Sequence, residues 1–193
     1  MTIGILKESE IDNRVSALPE TVTQFIALGL EVIVEQNAGQ NSYASDATYV
    51  EAGAKILDRG EVINQSDILL SINPTTEEIK DKTIIGTYFP INDFDMAKKV
   101  AAGNNTLFSM DNIPRTTRAQ SMDVLSSQAN IAGYKAVLEA TNHFNKFFPV
   151  MMTAAGSSKP AKVIILGVGV AGLQAIATAK RLGASVEAFD VRP

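Results

Sequence analysis

The chain has 193 residues, 46% of them hydrophobic, which is enough for one domain or two small ones. A net charge of −4 and no basic stripe argue against non-specific nucleic-acid binding, which needs clustered Lys and Arg. The absence of cysteine excludes disulfides and thiolate metal sites.

Hydrophobic periodicity alternates between strand-like and helix-like along the chain. Thr2 to Leu6 reads as a short buried strand. Pro19 occupies a first helical position, and the helix it opens stops at Leu28-Gly29. Glu31 to Glu35 alternates as a strand, and a turn-rich stretch and a short helix around Asp46 to Ala52 follow. Asp67 to Ile72 and Thr83 to Phe89 read as strands closed by prolines. A helix near Asn92 to Ala102 and a strand at Thr106 to Met110 complete a first parallel-sheet α/β domain, residues 1–113. Gln120 to Phe147 lacks proline and reads as one long helix, the hinge between two domains, within a connecting region of residues 114–160. Thr153 to Lys159 reads as a flexible link ended by Pro160.

Residues 161–193 read as the first β-α-β of a nucleotide-binding fold. Lys162 to Leu166 is a buried strand, and Gly167-Val168-Gly169-Val170-Ala171-Gly172 is GxGxxG. A helix runs to Leu182-Gly183, and the strand Ser185 to Phe189 ends at Asp190. Gly167 permits the tight turn, Gly169 lets the backbone approach a pyrophosphate, and Gly172 lets the helix pack close to the sheet. Val170 and Ala171 open the helix, whose N-terminal N–H groups attract phosphate. Asp190 is placed to accept hydrogen bonds from ribose hydroxyls and to repel a 2′-phosphate, which favours NAD(H). Arg192, two residues on, is of the type that accommodates a 2′-phosphate. The strand before, the helix after and the acid about 20 residues on supply the context that the fingerprint requires.

Three segments resemble the alanine dehydrogenase / NAD(P) transhydrogenase family. In residues 4–29, Lys7-Glu8, Arg14-Val15, Pro19, Val22 and Gly29 match its opening pattern, while Leu6 and Leu18 depart from the usual proline and small hydroxyl residue. Residues 164–190 match its dinucleotide signature, with Val168 replacing a small residue. The run from Pro114 to Tyr134 is similar to the NAD(H)-binding domain of the alpha subunit in the proton-translocating transhydrogenase branch. This resemblance implies two Rossmann-like parallel-sheet domains joined by a long helix, and it implies that Arg115, Gln120, Asp123 and Ser126 lie near the nicotinamide. Gln120 and Asp123 are three residues apart, as are Asp123 and Ser126, so on one helix each pair shares a face. Read without the resemblance, the same cluster is a solvated polar helix start.

An alanine dehydrogenase has to move a proton as well as a hydride and needs a positioned acid/base, most often His. The resemblance places that branch's substrate Lys and His after Asp67 to Leu70 and near the end of Thr83 to Phe89. Here these places hold Ser71, Asn73 and Pro90, and the one histidine is His143, late in the long helix and expected to be exposed. Transfer of a hydride between two nicotinamides requires no general base. The resemblance therefore implies NAD(H) bound here, NADP(H) bound on a beta subunit, a membrane component for proton coupling, and a homodimer peripheral to the cytoplasmic face of the inner membrane. The alternatives are a soluble amino-acid dehydrogenase, with Arg14 toward substrate, and a non-catalytic NAD-binding module.

MTIGILKESE has no signal-peptide pattern, and the longest apolar stretch, Val163 to Leu173, is too short to span a bilayer. A complete nucleotide fold has further strands after the second. The expectation is thus a fragment with a truncated second domain, exposed apolar faces and poor NADH binding of its own.

Overall fold

The computed structural model describes residues 1–191, and the chain divides into two compact units, Met1–Met122 and Asp123–Pro193. The long helix therefore belongs to the second unit.

The first unit contains β1 (Thr2–Ile5), α1 (Pro19–Ala27), β2 (Glu31–Glu35), α2 (Asp46–Glu51), β3 (Lys55–Leu57), α3 (Arg59–Gln65), β4 (Ile68–Leu70), β5 (Thr83–Gly86), α4 (Phe94–Ala102) and β6 (Thr106–Ser109). Its six strands are all parallel, in the order β3-β2-β1-β4-β5-β6. That order is the doubly wound one, and its strand order reverses between β1 and β4. Both faces of the sheet are covered. Val32 and Val34 join Ile3, Ile5, Val22 and Tyr49 in one core, whereas Ile33 points the other way into a core with Val62, Leu69, Ile84 and Val100. The middle of β2 is thus continuously apolar because each alternate side chain meets a different helical layer. This two-sided burial corrects the expected strand alternation there.

Sequence periodicity passed over β3 and α3. β3 has only three residues, too few to show a period. The start of α3 is nonetheless marked by a cap: Asp58 accepts from the Glu61 amide at 2.9 Å. Arg59, the first residue of that helix, braces the end of the sheet. Its guanidinium donates to Glu35 at 2.8 Å, to Glu77 at 2.7 and 3.1 Å, to Thr75 at 3.0 Å and to the Lys7 carbonyl at 3.0 Å. It ties β2, the exit of β1 and the loop after β4 together.

The second unit contains α5 (Val124–His143), β7 (Met151–Thr153), β8 (Gly156–Ser158), β9 (Lys162–Leu166), α6 (Val170–Arg181) and β10 (Ser185–Phe189). The expected long helix is shorter at both ends. Thr117–Met122 forms 3-10 turns, Asp123 caps α5, and Phe144 leaves the helix in an extended conformation. The supposed flexible link is an antiparallel hairpin of β7 and β8, with Met151 paired to Ser158. β9 and β10 pair in parallel, and α6 packs on them through Ala175 and Ala179, which cluster with Val137 of α5, Phe148 and Ala161. The outward face of this pair leaves Ile164, Leu166 and Phe189 exposed, at 66%, 79% and 62%. His143 is exposed, as expected.

The Arg59 bridge is testable through its pH dependence. The Arg59 guanidinium holds the Glu77 carboxyl at about 2, below its ordinary value of 4.5. A carboxylate depressed in this way stabilises the fold fully above pH 4.5 and loses that contribution as pH falls toward 2. Glu77 is more than a third exposed, so solvent screening limits the bridge to about 1 kcal/mol. Glu77→Gln is expected to lower the thermal midpoint by about 2–4 °C at pH 7, with the gap to wild type closing between pH 4.5 and pH 2 in parallel melts. A pH-independent gap would refute the ionic account.

Candidate functional site: a nucleotide cradle and a polar crevice

The cradle lies wholly within the second unit. β9 ends at Leu166, and Gly167 turns the chain at φ +94°, a left-handed conformation that side chains resist. Gly169 is the extended N-cap of α6 and offers no side chain to cap the first amides of that helix, which have no intrahelical partner. Gly172 passes so close to the Gly167 carbonyl oxygen that a Cβ there would overlap it. The loop is tied to β10 by a hydrogen bond from the Gly167 amide to the Phe189 carbonyl at 2.8 Å. The Asp190 carboxylate accepts from the Val168 amide at 2.6 Å. The acid is thereby held at the mouth of the glycine turn, where the ribose next to a pyrophosphate would lie. Val170 and Ala171 supply the first turn of α6. Arg192 falls outside the described residues.

The other four candidates divide between the units. Arg115 and Gln120 are exposed residues of the first, and Asp123 and Ser126 are half-buried residues of the second. The three residues Gln120, Asp123 and Ser126 do not lie on one helix, although Asp123 and Ser126 are brought together as their spacing suggested. Gln120 sits in a 3-10 turn, and Asp123 is the N-cap of α5, outside the helix. Asp123 accepts from the Ser126 amide at 2.9 Å and from the Ser126 hydroxyl at 2.7 Å, while Ser127 donates to the Asp123 carbonyl at 2.7 Å. A short acid three residues before a serine caps a helix end more readily than it continues the helix. The structure therefore joins Asp123 to Ser126 and fixes both at one helix terminus.

The first unit has a crevice of its own at the exit of β1 and β4, where doubly wound sheets bind ligands. Periodicity alone did not single it out. Here it is an open crevice lined by polar and charged side chains that bond to one another. Glu8, 9% exposed, accepts from the Ile72 amide at 2.6 Å and from the Asn73 amide and side chain at 3.1 and 2.9 Å. Asn73 also donates to Asp12 at 2.8 Å, and Arg14 grips Asp12 with its Nε at 2.9 Å and its terminal nitrogen at 2.6 Å. The Arg14 hydrogen bond pushes the Asp12 carboxyl far below the usual range, and Asp12 in turn raises Arg14. The chain leaves β1 through the polar Lys7-to-Asn13 segment, which holds no glycine, and Arg59 at the start of α3 also lines the crevice. Among the described residues no group of His, Cys, Asp and Glu is placed to hold a metal ion, and no helix is long and apolar enough to cross a membrane.

Comparison with known proteins agrees with this geometry. The Alanine dehydrogenase/PNT N-terminal domain profile matches residues 4–132, and the C-terminal domain profile matches residues 136–193. The chain is 45% identical to the NAD(P) transhydrogenase subunit alpha of Haemophilus influenzae, over 100% of this chain and 39% of that protein. It is 31% identical to an alanine dehydrogenase of Staphylococcus epidermidis, over 100% of this chain and 54% of that one. The crystal structure of transhydrogenase from Sinorhizobium meliloti superposes with a TM-score of 0.96 at 42% identity, covering 100% of this chain and 57% of that one. The chain thus spans about half the length of the solved relative and less of the first curated one. Two matched domain profiles, the doubly wound sheet and the glycine cradle agree, and the chain belongs to the alanine dehydrogenase/PNT family.

Proposed function

We propose that this chain is the NAD(H)-binding part of a proton-translocating NAD(P) transhydrogenase, delivering hydride from NADH to NADP⁺ held on a partner subunit. The observation that carries the reading is the unit from β9 to Asp190, a dinucleotide cradle with its acid held at the turn. Similarity to transhydrogenase alpha subunits supports the choice of reaction. The residues fit the cofactor: the amides of Gly169 to Gly172 would hold the pyrophosphate, and Asp190 would take ribose hydroxyls and disfavour a 2′-phosphate.

A bound nicotinamide supplies the hydride, so this chain has only to bind, orient and exclude water. Arg115 and Gln120 hold the nicotinamide or its ribose in the transfer-competent orientation. The Asp123–Ser126 pair fixes the start of α5 beside them in sequence. No residue is required to shuttle a proton, consistent with Ser71 and Asn73 after β4 and an exposed His143. The alanine dehydrogenase reading is less favoured because Arg14 is already gripped by Asp12. The complex works with an NADP(H)-binding beta subunit and a membrane component as a homodimer on the cytoplasmic face of the inner membrane.

The decisive experiment mixes the full-length protein with its NADP-binding partner and follows hydride transfer from NADH, with pyruvate plus ammonia run in parallel. Partner-dependent transfer to a second nicotinamide without alanine formation is expected. Alanine formation would refute the reading, and NADH binding without any transfer would favour a non-catalytic module. Gln120→Asn is expected to lower turnover far more than NADH affinity; equal losses would refute an orienting role. Asp190→Ser is expected to weaken NADH about 10-fold, the scale of a lost charged hydrogen bond, and to narrow the preference over NADPH, both read by titration. An unchanged NADH/NADPH ratio would remove Asp190 from selectivity.

A further inference from the structure

We propose that Gly133 is a positioning residue that sets the spacing between the phosphate cradle and the α5 terminus that serves the nicotinamide. The inference rests on the cradle reading above and names a residue outside the glycine turn and outside the set Arg115, Gln120, Asp123 and Ser126. α5 packs against α6 more extensively than any other pair of helices. The contact runs along one stripe of α5. Ser126, Asn130, Gly133 and Val137 recur at helical spacing and so lie on one face. Asn130 donates to Gln174 of α6 at 3.3 Å, and Val137 joins Ala175 and Ala179 in the core. Between them Gly133, buried in the middle of a 20-residue helix, meets the backbone of Ala171. A Cβ at Gly133 would overlap the Ala171 carbonyl oxygen and stand 2.9 Å from its carbonyl carbon.

Ala171 is the second residue of α6, inside GxGxxG, so the contact pins the cradle end of α6. Glycine mid-helix costs about 1 kcal/mol relative to alanine, and close backbone approach is what offsets that cost here. Two turns toward the N-terminus on the same stripe lies Ser126, bonded to the Asp123 cap. The rise between Ser126 and Gly133 is about 10 Å, the scale of half a dinucleotide. α5 therefore carries both reference points on one rigid rod. A side chain at position 133 forces α6 away by roughly 1 Å to restore normal contact, leaving the turn itself intact and misplacing it relative to the rod. Misplacement of that size is enough to matter for a cofactor held at both ends.

The test titrates the full-length protein and its Gly133→Ala variant with NADH and with ADP-ribose, which fills the cradle but lacks the nicotinamide. The expected result is NADH weakened about 10-fold with ADP-ribose changed less than 3-fold. Asn130→Ala, which removes the Gln174 bond without adding volume, is expected to shift NADH about 3-fold in the same direction, and it decides the matter if Gly133→Ala does not fold. Equal losses for both ligands would overturn the spacing role and leave Gly133 with a merely structural one; no loss for either would also overturn it. Wild-type protein that binds neither ligand would sink the cradle reading itself, a failure distinguishable from these.

Discussion

The second unit depends on backbone passing backbone at distances no side chain tolerates. Gly172 sits over the Gly167 carbonyl and closes the turn onto the strand; Gly133 sits over the Ala171 carbonyl and brings α5 onto α6. Both contacts converge on the first turn of α6. The same stretch therefore carries the first amides of α6 and the surface on which the long helix rests. Hydrophobic burial by Val137, Ala175 and Ala179 holds the helices together, and the small side chains on both make the close approach possible.

Asp190 fastens the turn within this arrangement. Its carboxylate closes the glycine turn by accepting the Val168 amide, and it stands at the strand end where the fingerprint puts its ribose acid. A carboxylate that accepts a backbone amide is fixed in place before ligand arrives, which lowers the entropy lost on binding. Asp123 is comparable: capping α5 with two hydrogen bonds to Ser126 holds the helix start in one geometry.

The glycine turn, β9, α6 and β10 were legible in the sequence because their signals are local: an apolar strand, spaced glycines, and an acid at the next strand end. The hairpin of β7 and β8 was not, since small and polar residues at Thr153 to Ser158 carry no period. The start of α5 was misjudged because continuous apolar spacing runs through Met122 and Leu125, and a cap at Asp123 competes with that pattern without erasing it. Gly133 was readable only as part of a family-like run. Its purpose depends on which element crosses it, which is a property of tertiary structure. Glu8 and Asn73, 65 residues apart, meet only because β1 and β4 are neighbours in the sheet.

That last pairing shows how far strand order constrains function. The first unit has the doubly wound order and the crevice at its reversal that in many proteins receives a nucleotide. Yet the chain places carboxylates there rather than free amides. Glu8 takes the Ile72 and Asn73 amides, and Asp12 takes Arg14, so the donors that would greet an anionic ligand already have one. The crevice is thus a mixed-charge surface, with Glu8 and Asp12 beside Lys7, Arg14 and Arg59, and lacks the run of unpaired amides that a glycine turn presents. The two units thus share a strand-and-helix logic and differ in the residues at its carboxyl end. Fold alone does not separate them; the chemistry of the β1 exit against that of the β9 exit does.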